Sequence, residues 1–521
     1  MSKLVHSQLV AAILIASAAS LGAQAALPGD LDSYIANSMR TFEVPGMAVA
    51  IVKDGKIVLA KGYGVRKLGD PTLVDEHTMF GIGSNTKAFT TAALAGLVDA
   101  GKLSWDDPVY QRLPGFVMYD PYVSHEMTIR DLLTHRSGMG LGEGDLLFWP
   151  QSTYTREEII YKLRLLKPAS GFRILSYDSL LYLAAGQVIP AVTRTSWDDF
   201  IRQRIFLSLG MNNSNVSISA FKPGDNTAFP HERVDGKLQV IPFEALDNIG
   251  PAGSINSCAA DMAKWVQLQL NRGKFADRDG RLFSEQQAKE MWSPHTILPI
   301  DDPPPPLAGL KPTFAAFALG WVLQDYHGRK LVGHPGIISG FVSRVTLVPE
   351  ENLGVVVLTN AEEEGAFDSV LFHVLDYYLH LPPTNWIAAF KSVKDTQEKE
   401  AAETIKKAEG TRAAESKPSL SLEKYAGVYT DAWYGSITIR QENRSLVITF
   451  DHTPSMIGDL QHWQYDTFKA HWRDRTIEDA FLTFSLKPDG SIESVRLAAV
   501  SPLADSSFDY QDLLLKPAEK K

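Results

Sequence analysis

Two runs near the N-terminus, residues 46–53 and 56–62, have the apolar, strand-like pattern of a paired β-ribbon, and Asp54-Gly55 between them is a hairpin turn. A sheet therefore begins early in the chain. Ala88 to Ala100 is an apolar, alanine-rich run of helical length. From Leu103 to about Pro251 the pattern is mostly helical, with breaks at Pro114, Pro121, Pro150 and Pro168. Within it, Thr128 to Met139 reads as a short helix ending at Gly138, and Ser179 to Val188 as another. Strand patterns return at Ala318 to Gln324, Lys330 to Gly333, Phe341 to Pro349 and Gly354 to Thr359, with turns at His327-Gly328 and Glu350-Glu351-Asn352. Ala366 to His380 then reads as a closing helix. Strands at both ends with helices between predict one α/β (α+β) domain whose sheet is completed by distant parts of the chain.

The character changes at Lys391 to Lys417, where charged residues dominate and most apolar positions are alanine, the pattern of an exposed helical linker. Leu420 to Leu514 alternates apolar and polar residues, with turns at Glu442-Asn443 and Pro488-Asp489-Gly490. This predicts a second, all-β domain, a small barrel or sandwich. The expected division is 26–390, a linker over 391–417, and 418–521. Tyr425, Tyr429, Trp433, Trp463, Phe468 and Trp472 are either the core of that unit or the lining of a ligand cup, and core is the default. Asp301 to Pro312, with its run Pro303 to Pro306, reads as an extended spacer or the rim of a site.

Met1 to Ala25 stands apart: Lys3 and His6 precede an apolar stretch, Leu9 to Leu21, followed by Ala23-Gln24-Ala25. That is the pattern of a cleaved signal peptide, so the expectation is export, to the periplasm or outside the cell, with an uncleaved anchor as the alternative. No later apolar run is long enough for a membrane span. The 521 residues carry a formal net charge of -10 and show no basic stripe, which excludes nucleic acid as an expected partner. Cys258 is the single cysteine and admits no internal disulfide; its surroundings suggest a buried structural residue at a helix start. No zinc-type spacing or phosphate-binding loop is present, so neither metal nor cofactor is expected.

The candidate chemistry lies in Met79 to Lys87. Ser84 sits where a glycine-punctuated segment turns into the alanine-rich helix, and Lys87 follows one turn later on the same face. A serine hydroxyl needs a base to become a nucleophile, and a neighbouring amine serves if it can be partly neutral. The same spacing at Ser219/Lys222 and Ser421/Lys424 reads as coincidence, and a capping serine beside an exposed lysine is the competing reading at Ser84. His135 is either a base or, more in keeping with its loop position, a buttress.

Three signals in order change that balance: Ser84-Asn85-Thr86-Lys87, Tyr177-Asp178-Ser179, and His334-Pro335-Gly336. Together they resemble the serine β-lactamase and penicillin-binding superfamily, in the branch of class C β-lactamases, D-alanyl-D-alanine carboxypeptidases, D-aminopeptidases and carboxylesterases. The likeness spans roughly Ile35 to His380; the C-terminal unit is similar to the β-barrel appendages of some members. The resemblance implies an antiparallel sheet flanked by helices with a helical insertion. It implies Ser84 as acylated nucleophile, Lys87 and Tyr177 as general base and acid, and the N–H groups of Ser84 and Ile337 as oxyanion hole. It also implies substrate contacts at Ser179, His334 and Gly336. Ser179 stands where the family commonly has Asn, and His334 where many members have Lys, which puts β-lactam hydrolysis and recognition of a free carboxylate in doubt. The expected function is an exported serine hydrolase of small-molecule or peptide substrates, amide or ester. Alternatives are a carboxylesterase, a weak β-lactamase, or a non-catalytic penicillin-binding sensor; homo-oligomerisation is left open.

Overall fold

The computed structural model describes residues 26–518, so the signal-peptide segment lies outside the described residues. The main sheet has eight antiparallel strands: β1 (Gly46–Lys53), β2 (Lys56–Gly64), β3 (Thr296–Ile297), β4 (Ala315–Phe317), β5 (Val322–Tyr326), β6 (Arg329–Ile338), β7 (Phe341–Val348) and β8 (Leu353–Thr359). Their order is β2-β1-β8-β7-β6-β5-β4-β3, so the first hairpin pairs directly with the last strand, Met47 opposite Thr359. Alternation explains why β1 and β8 are apolar throughout. Met47, Val49 and Ile51 enter one core with Val355 and Val357, while Ala48, Ala50 and Val52 enter the other with Val356 and Leu358.

Helices cover both faces. On one lie α1 (Leu31–Phe42), with a buried stripe at Leu31, Ile35, Met39 and Phe42, and the closing helix, Glu364–Tyr378. On the other, α2 (Thr86–Asp99) is buried almost all round and stacks Phe89 on Trp265 of α4 (Ala259–Leu270), with ring centroids 3.8 Å apart. The longest helix of the insertion, α3 (Ser179–Thr193), packs against α2.

The insertion is less helical than its pattern predicts. It is a chain of short helices and turns, and residues 231–240 form a β-hairpin, His231–Val234 with Lys237–Val240. The helix expected to reach Gly138 stops at Leu133, capped at Thr128 by Asp131; His135 and Gly138 then take positive φ, 55° and 85°. The strand read over Ala318 to Gln324 begins only at Val322, in β5; residues 318–321 are the turn between β4 and β5, where Gly320 has φ 80° and a Cβ would lie 2.7 Å from Thr91 Oγ1. Pro305–Leu310 coils into a 3-10 segment whose Leu307 and Leu310 pack on the α1 side, and residues 301–312 do not line the Ser84 cleft. Cys258 is buried at the start of α4, and burial pushes its thiol up to about 12.

The charged stretch belongs to a helix that begins earlier, α6 (Trp386–Gly410), with α5 denoting Glu364–Tyr378. Only Trp386, Ile387 and Ala401 of α6 are buried, and Lys394 bridges Glu398 at 2.8 Å and Glu363 at 3.1 Å. Beyond it, eight sequential antiparallel strands between Gly427 and Pro517 close into a barrel, the last pairing with the first at Thr430 and Lys516. Tyr425, Tyr429, Trp433, Phe468 and Trp472 are buried in its packing rather than arranged around an open cup. Trp463 is half-buried against Phe481 and Arg412.

Candidate active site

Ser84 lies in a 3-10 turn, Gly83–Asn85, that runs straight into α2. The turn is clamped from across the sheet. Asn85 Nδ2 donates to Ser343 Oγ at 2.8 Å, and that hydroxyl donates to the Ile82 carbonyl at 2.8 Å. Gly336 lets β6 come equally close: a Cβ there would sit 2.0 Å from the Ile82 carbonyl oxygen. The glycine is thus needed for the protein's own close packing, a reason the sequence pattern did not suggest.

One turn along α2, the fully buried Lys87 Nζ donates to Ser84 Oγ at 2.9 Å, Ser179 Oγ at 3.3 Å and the Ala252 carbonyl at 3.2 Å. An ammonium has three N–H groups, and all three are used. The residue before Ala252 is held by Thr90, whose hydroxyl donates to Pro251 O at 2.7 Å and accepts the Trp197 indole N–H at 2.9 Å. Tyr177 O–H donates to Ser84 Oγ at 2.9 Å, and its ring lies 4.9 Å from Lys87 Nζ.

Two histidines stand behind this group, and both are neutral. The His135 ring lies 4.3 Å from that of Tyr177, tilted by 32°, and its Nδ1 accepts the Asp178 N–H at 3.1 Å. Burial and the Lys87 charge hold it well below its usual pKa, so it buttresses Tyr177 rather than titrating near neutrality. His334, 3% exposed on β6, lies against the Pro335 carbonyl through Nδ1 at 2.5 Å. Burial, then the Lys87 charge, push its pKa down to about 3. Ile337 leaves 46% of its surface open in the cleft, while its backbone N lies 2.7 Å from where a Cβ on Gly83 would be. The structure thus brings Ser84, Lys87, Tyr177, Ser179, His334, Gly336 and Ile337 to one place. Sequence reasoning missed Asn85, Ser343 and the Ala252 carbonyl; only Asn85, inside the first motif, carried a local signal.

Ser84, Tyr177, Ser179, Phe317 and His334 line a cleft of about 530 Å³. Its far wall comes from the barrel unit: Thr476, Glu478, Leu503, Asp505, Ser507 and Phe508. A second groove, of about 790 Å³ along α6, holds none of these side chains. The loop before the last barrel strand is tied down firmly. Phe508 packs on Trp149 at 4.6 Å, Asp509 accepts the Leu146 N–H at 2.7 Å and the Gly144 N–H at 3.3 Å, and Ser507 donates to Asp145 Oδ2 at 2.8 Å. The mouth is acidic. Burial pushes Asp145 up to about 7, Glu232 to about 8 and Glu362 to about 7, with neighbouring carboxylates adding to each shift.

A serine hydroxyl hydrogen-bonded to a buried lysine and a tyrosine at a helix start, in a chain that matches the beta-lactamase family over most of its length, defines a class: this is a serine hydrolase of the β-lactamase-like type. The profile of the beta-lactamase family matches residues 31–378, and the chain belongs to that family; residues 411–517 match a domain of unknown function (DUF3471). Among relatives, Unguisins hydrolase ungD' of Aspergillus campestris is 29% identical over 447 residues, covering 81% of this chain and 79% of its own. Protein flp of Staphylococcus aureus (strain COL) is 28% identical over 345 residues, 64% of this chain and 63% of its own. In fold, the chain is similar to the octameric penicillin-binding protein homologue from Pyrococcus abyssi, with TM-score 0.59, 22% identity, and coverage of 94% of this chain and 99% of that one. Among the described residues no helix is long and apolar enough to cross a membrane.

Proposed function

We propose that the protein hydrolyses an amide or ester bond through an acyl-enzyme on Ser84. The observation that carries this reading is the pair of hydrogen bonds, each 2.9 Å, that Lys87 and Tyr177 make to the Ser84 hydroxyl. Whichever of the two is deprotonated takes the Ser84 proton as Oγ attacks the carbonyl carbon. The negative charge on the carbonyl oxygen is met by the N–H groups of Ser84 and Ile337. The proton is returned to the leaving nitrogen or oxygen, and water, activated by the same pair, then cleaves the acyl-enzyme. Ser179 holds Lys87 in line, and His334 and Gly336 shape the strand on which the substrate lies.

The substrate class favoured is a peptide-type amide; the Aspergillus relative's name supports hydrolysis as the reaction. Neutral His334 offers no fixed cation for a substrate carboxylate, which argues against efficient β-lactam turnover. We read the chain as exported, with the mature protein beginning near Ala26, and the octameric Pyrococcus homologue supports testing for a homo-oligomer by light scattering. The decisive test is turnover of D- and L-aminoacyl p-nitroanilides, p-nitrophenyl esters and nitrocefin by wild type and Ser84→Ala. Ser84-dependent amide cleavage is expected. Ester-only turnover would make the protein a carboxylesterase, and nitrocefin alone a β-lactamase. No Ser84-dependent turnover on any substrate contradicts the reading in favour of a binding protein.

A further inference from the structure

Along β7, Phe341, Val345 and Leu347 enter the core on the α2 side of the sheet, and by alternation the remaining position in that row is Ser343, fully buried. A hydroxyl in an apolar row is costly to bury unless it is bonded, and this one is bonded to both halves of the cleft floor. Its proton goes to the Ile82 carbonyl at 2.8 Å, with the Gly336 carbonyl a weaker second acceptor at 3.5 Å, and its oxygen accepts from Asn85 Nδ2 at 2.8 Å. Ile82 and Asn85 flank the turn that carries Ser84; Gly336 precedes Ile337 on β6. Beside Ser343 the turn and the strand meet backbone on backbone. A Cβ on Gly83 would lie 2.7 Å from Ile337 N and 3.0 Å from Gly336 C, and a Cβ on Gly336 would lie 2.0 Å from Ile82 O and 2.5 Å from Ser343 Oγ. There is no room for a larger residue at either glycine.

Building on the acyl-enzyme reading, we propose that Ser343 is a positioning residue for the oxyanion hole: its hydroxyl locks the Ser84 turn to β6 and so fixes the separation of the Ser84 and Ile337 N–H groups. It makes no bond to the Ser84 hydroxyl. Lys87 and Tyr177 reach that hydroxyl directly, and Lys87 is held by Ser179 and the Ala252 carbonyl, so loss of the Ser343 hydroxyl leaves the proton pair in place and loosens the two donors. The charge those donors meet develops only as Oγ attacks, so the cost falls on kcat and not on substrate binding.

The test compares the mature full-length wild type with Ser343→Ala on the best substrate of the p-nitroanilide and ester panel, and in inhibition by phenylboronic acid, whose tetrahedral adduct on Ser84 presents an oxygen to the same two donors. Misplaced donors predict a kcat lower by about tenfold to a hundredfold and a boronate Ki raised in step with it. KM should stay within about twofold and the pH profile of kcat/KM should keep its shape, since the proton pair is untouched. Ser343→Cys, similar in size but a weak donor, is expected to fall between the two. An unchanged kcat and Ki in Ser343→Ala overturn the proposal, as does a loss carried by KM or by a shifted pH profile, which would mark a general disturbance of the site. Should Ser343→Ala fail to fold, Ser343→Cys decides: wild-type kcat and Ki in that variant overturn it. Absence of any Ser84-dependent turnover in the wild type is a different outcome, which contradicts the acyl-enzyme reading itself and the proposal with it.

Discussion

The floor and the mouth of the cleft are built on opposite principles. On the floor, the Ser84 hydroxyl receives two donors, Lys87 spends all its N–H groups, and His135 is neutral and packed. At the mouth, Asp145 keeps an unpartnered oxygen, and Glu232 and Glu362 crowd into a partly buried acidic wall. A satisfied polar network is rigid and holds reacting groups in place before the substrate arrives. The floor is therefore held in one arrangement, while the mouth carries buried, mutually repelling carboxyls.

Breaking the floor should have the largest effect. Lys87→Met removes the cation and leaves Ser84, Ser179 and Ala252 without their shared donor; kcat/KM should fall by about a thousandfold or more, read by steady-state turnover. Tyr177→Phe removes one of the two bonds to Ser84 and keeps the ring that packs on His135. A loss of about a hundredfold is expected, and an unchanged rate would remove Tyr177 from the proton path. Asp509→Ala tests how the barrel holds the mouth. Leaving the buried N–H groups of Gly144 and Leu146 unpaired should cost about 1–3 kcal/mol in urea unfolding.

The smallest effect is the pH dependence of stability. Asp145, Glu232 and Glu362 keep protons in the folded protein up to pH about 7, 8 and 7, while in the unfolded chain they release them near pH 4. The folded state thus binds more protons in between, and stability falls as pH rises through that window. His135 and His334, neutral when folded, act in the opposite sense, but only below their unfolded pKa of about 6.5. Melting temperature should therefore drop between pH about 6.5 and 8, and Glu232→Gln with Glu362→Gln should flatten that slope. A slope unaffected by both changes would mean that the acidic mouth does not carry it.

How far each region could be read in the sequence follows from the range of its contacts. The hydroxyl and ammonium of Ser84 and Lys87 are one helical turn apart, a spacing that local geometry dictates, and they lie 2.9 Å from each other. The alternation of Gly46–Lys53 likewise announced a strand, since its side chains must face two cores. Asn85 and Ser343 meet across 258 residues, and Ala252 reaches Lys87 across 165, so no local pattern could join them. Asp145 gave no signal because its side-chain partner, Ser507, lies far along the chain in a separate barrel. The insertion reads as more helical than it is because apolar runs there serve short turns against a shared core, where packing overrides periodicity.

The central claim, that Ser84 is acylated, is tested most directly by intact mass of the mature protein after incubation with a fluorophosphonate, wild type beside Ser84→Ala. A single adduct on the wild type and none on Ser84→Ala is the expected result. No adduct on the wild type, or equal labelling of both proteins, would contradict it.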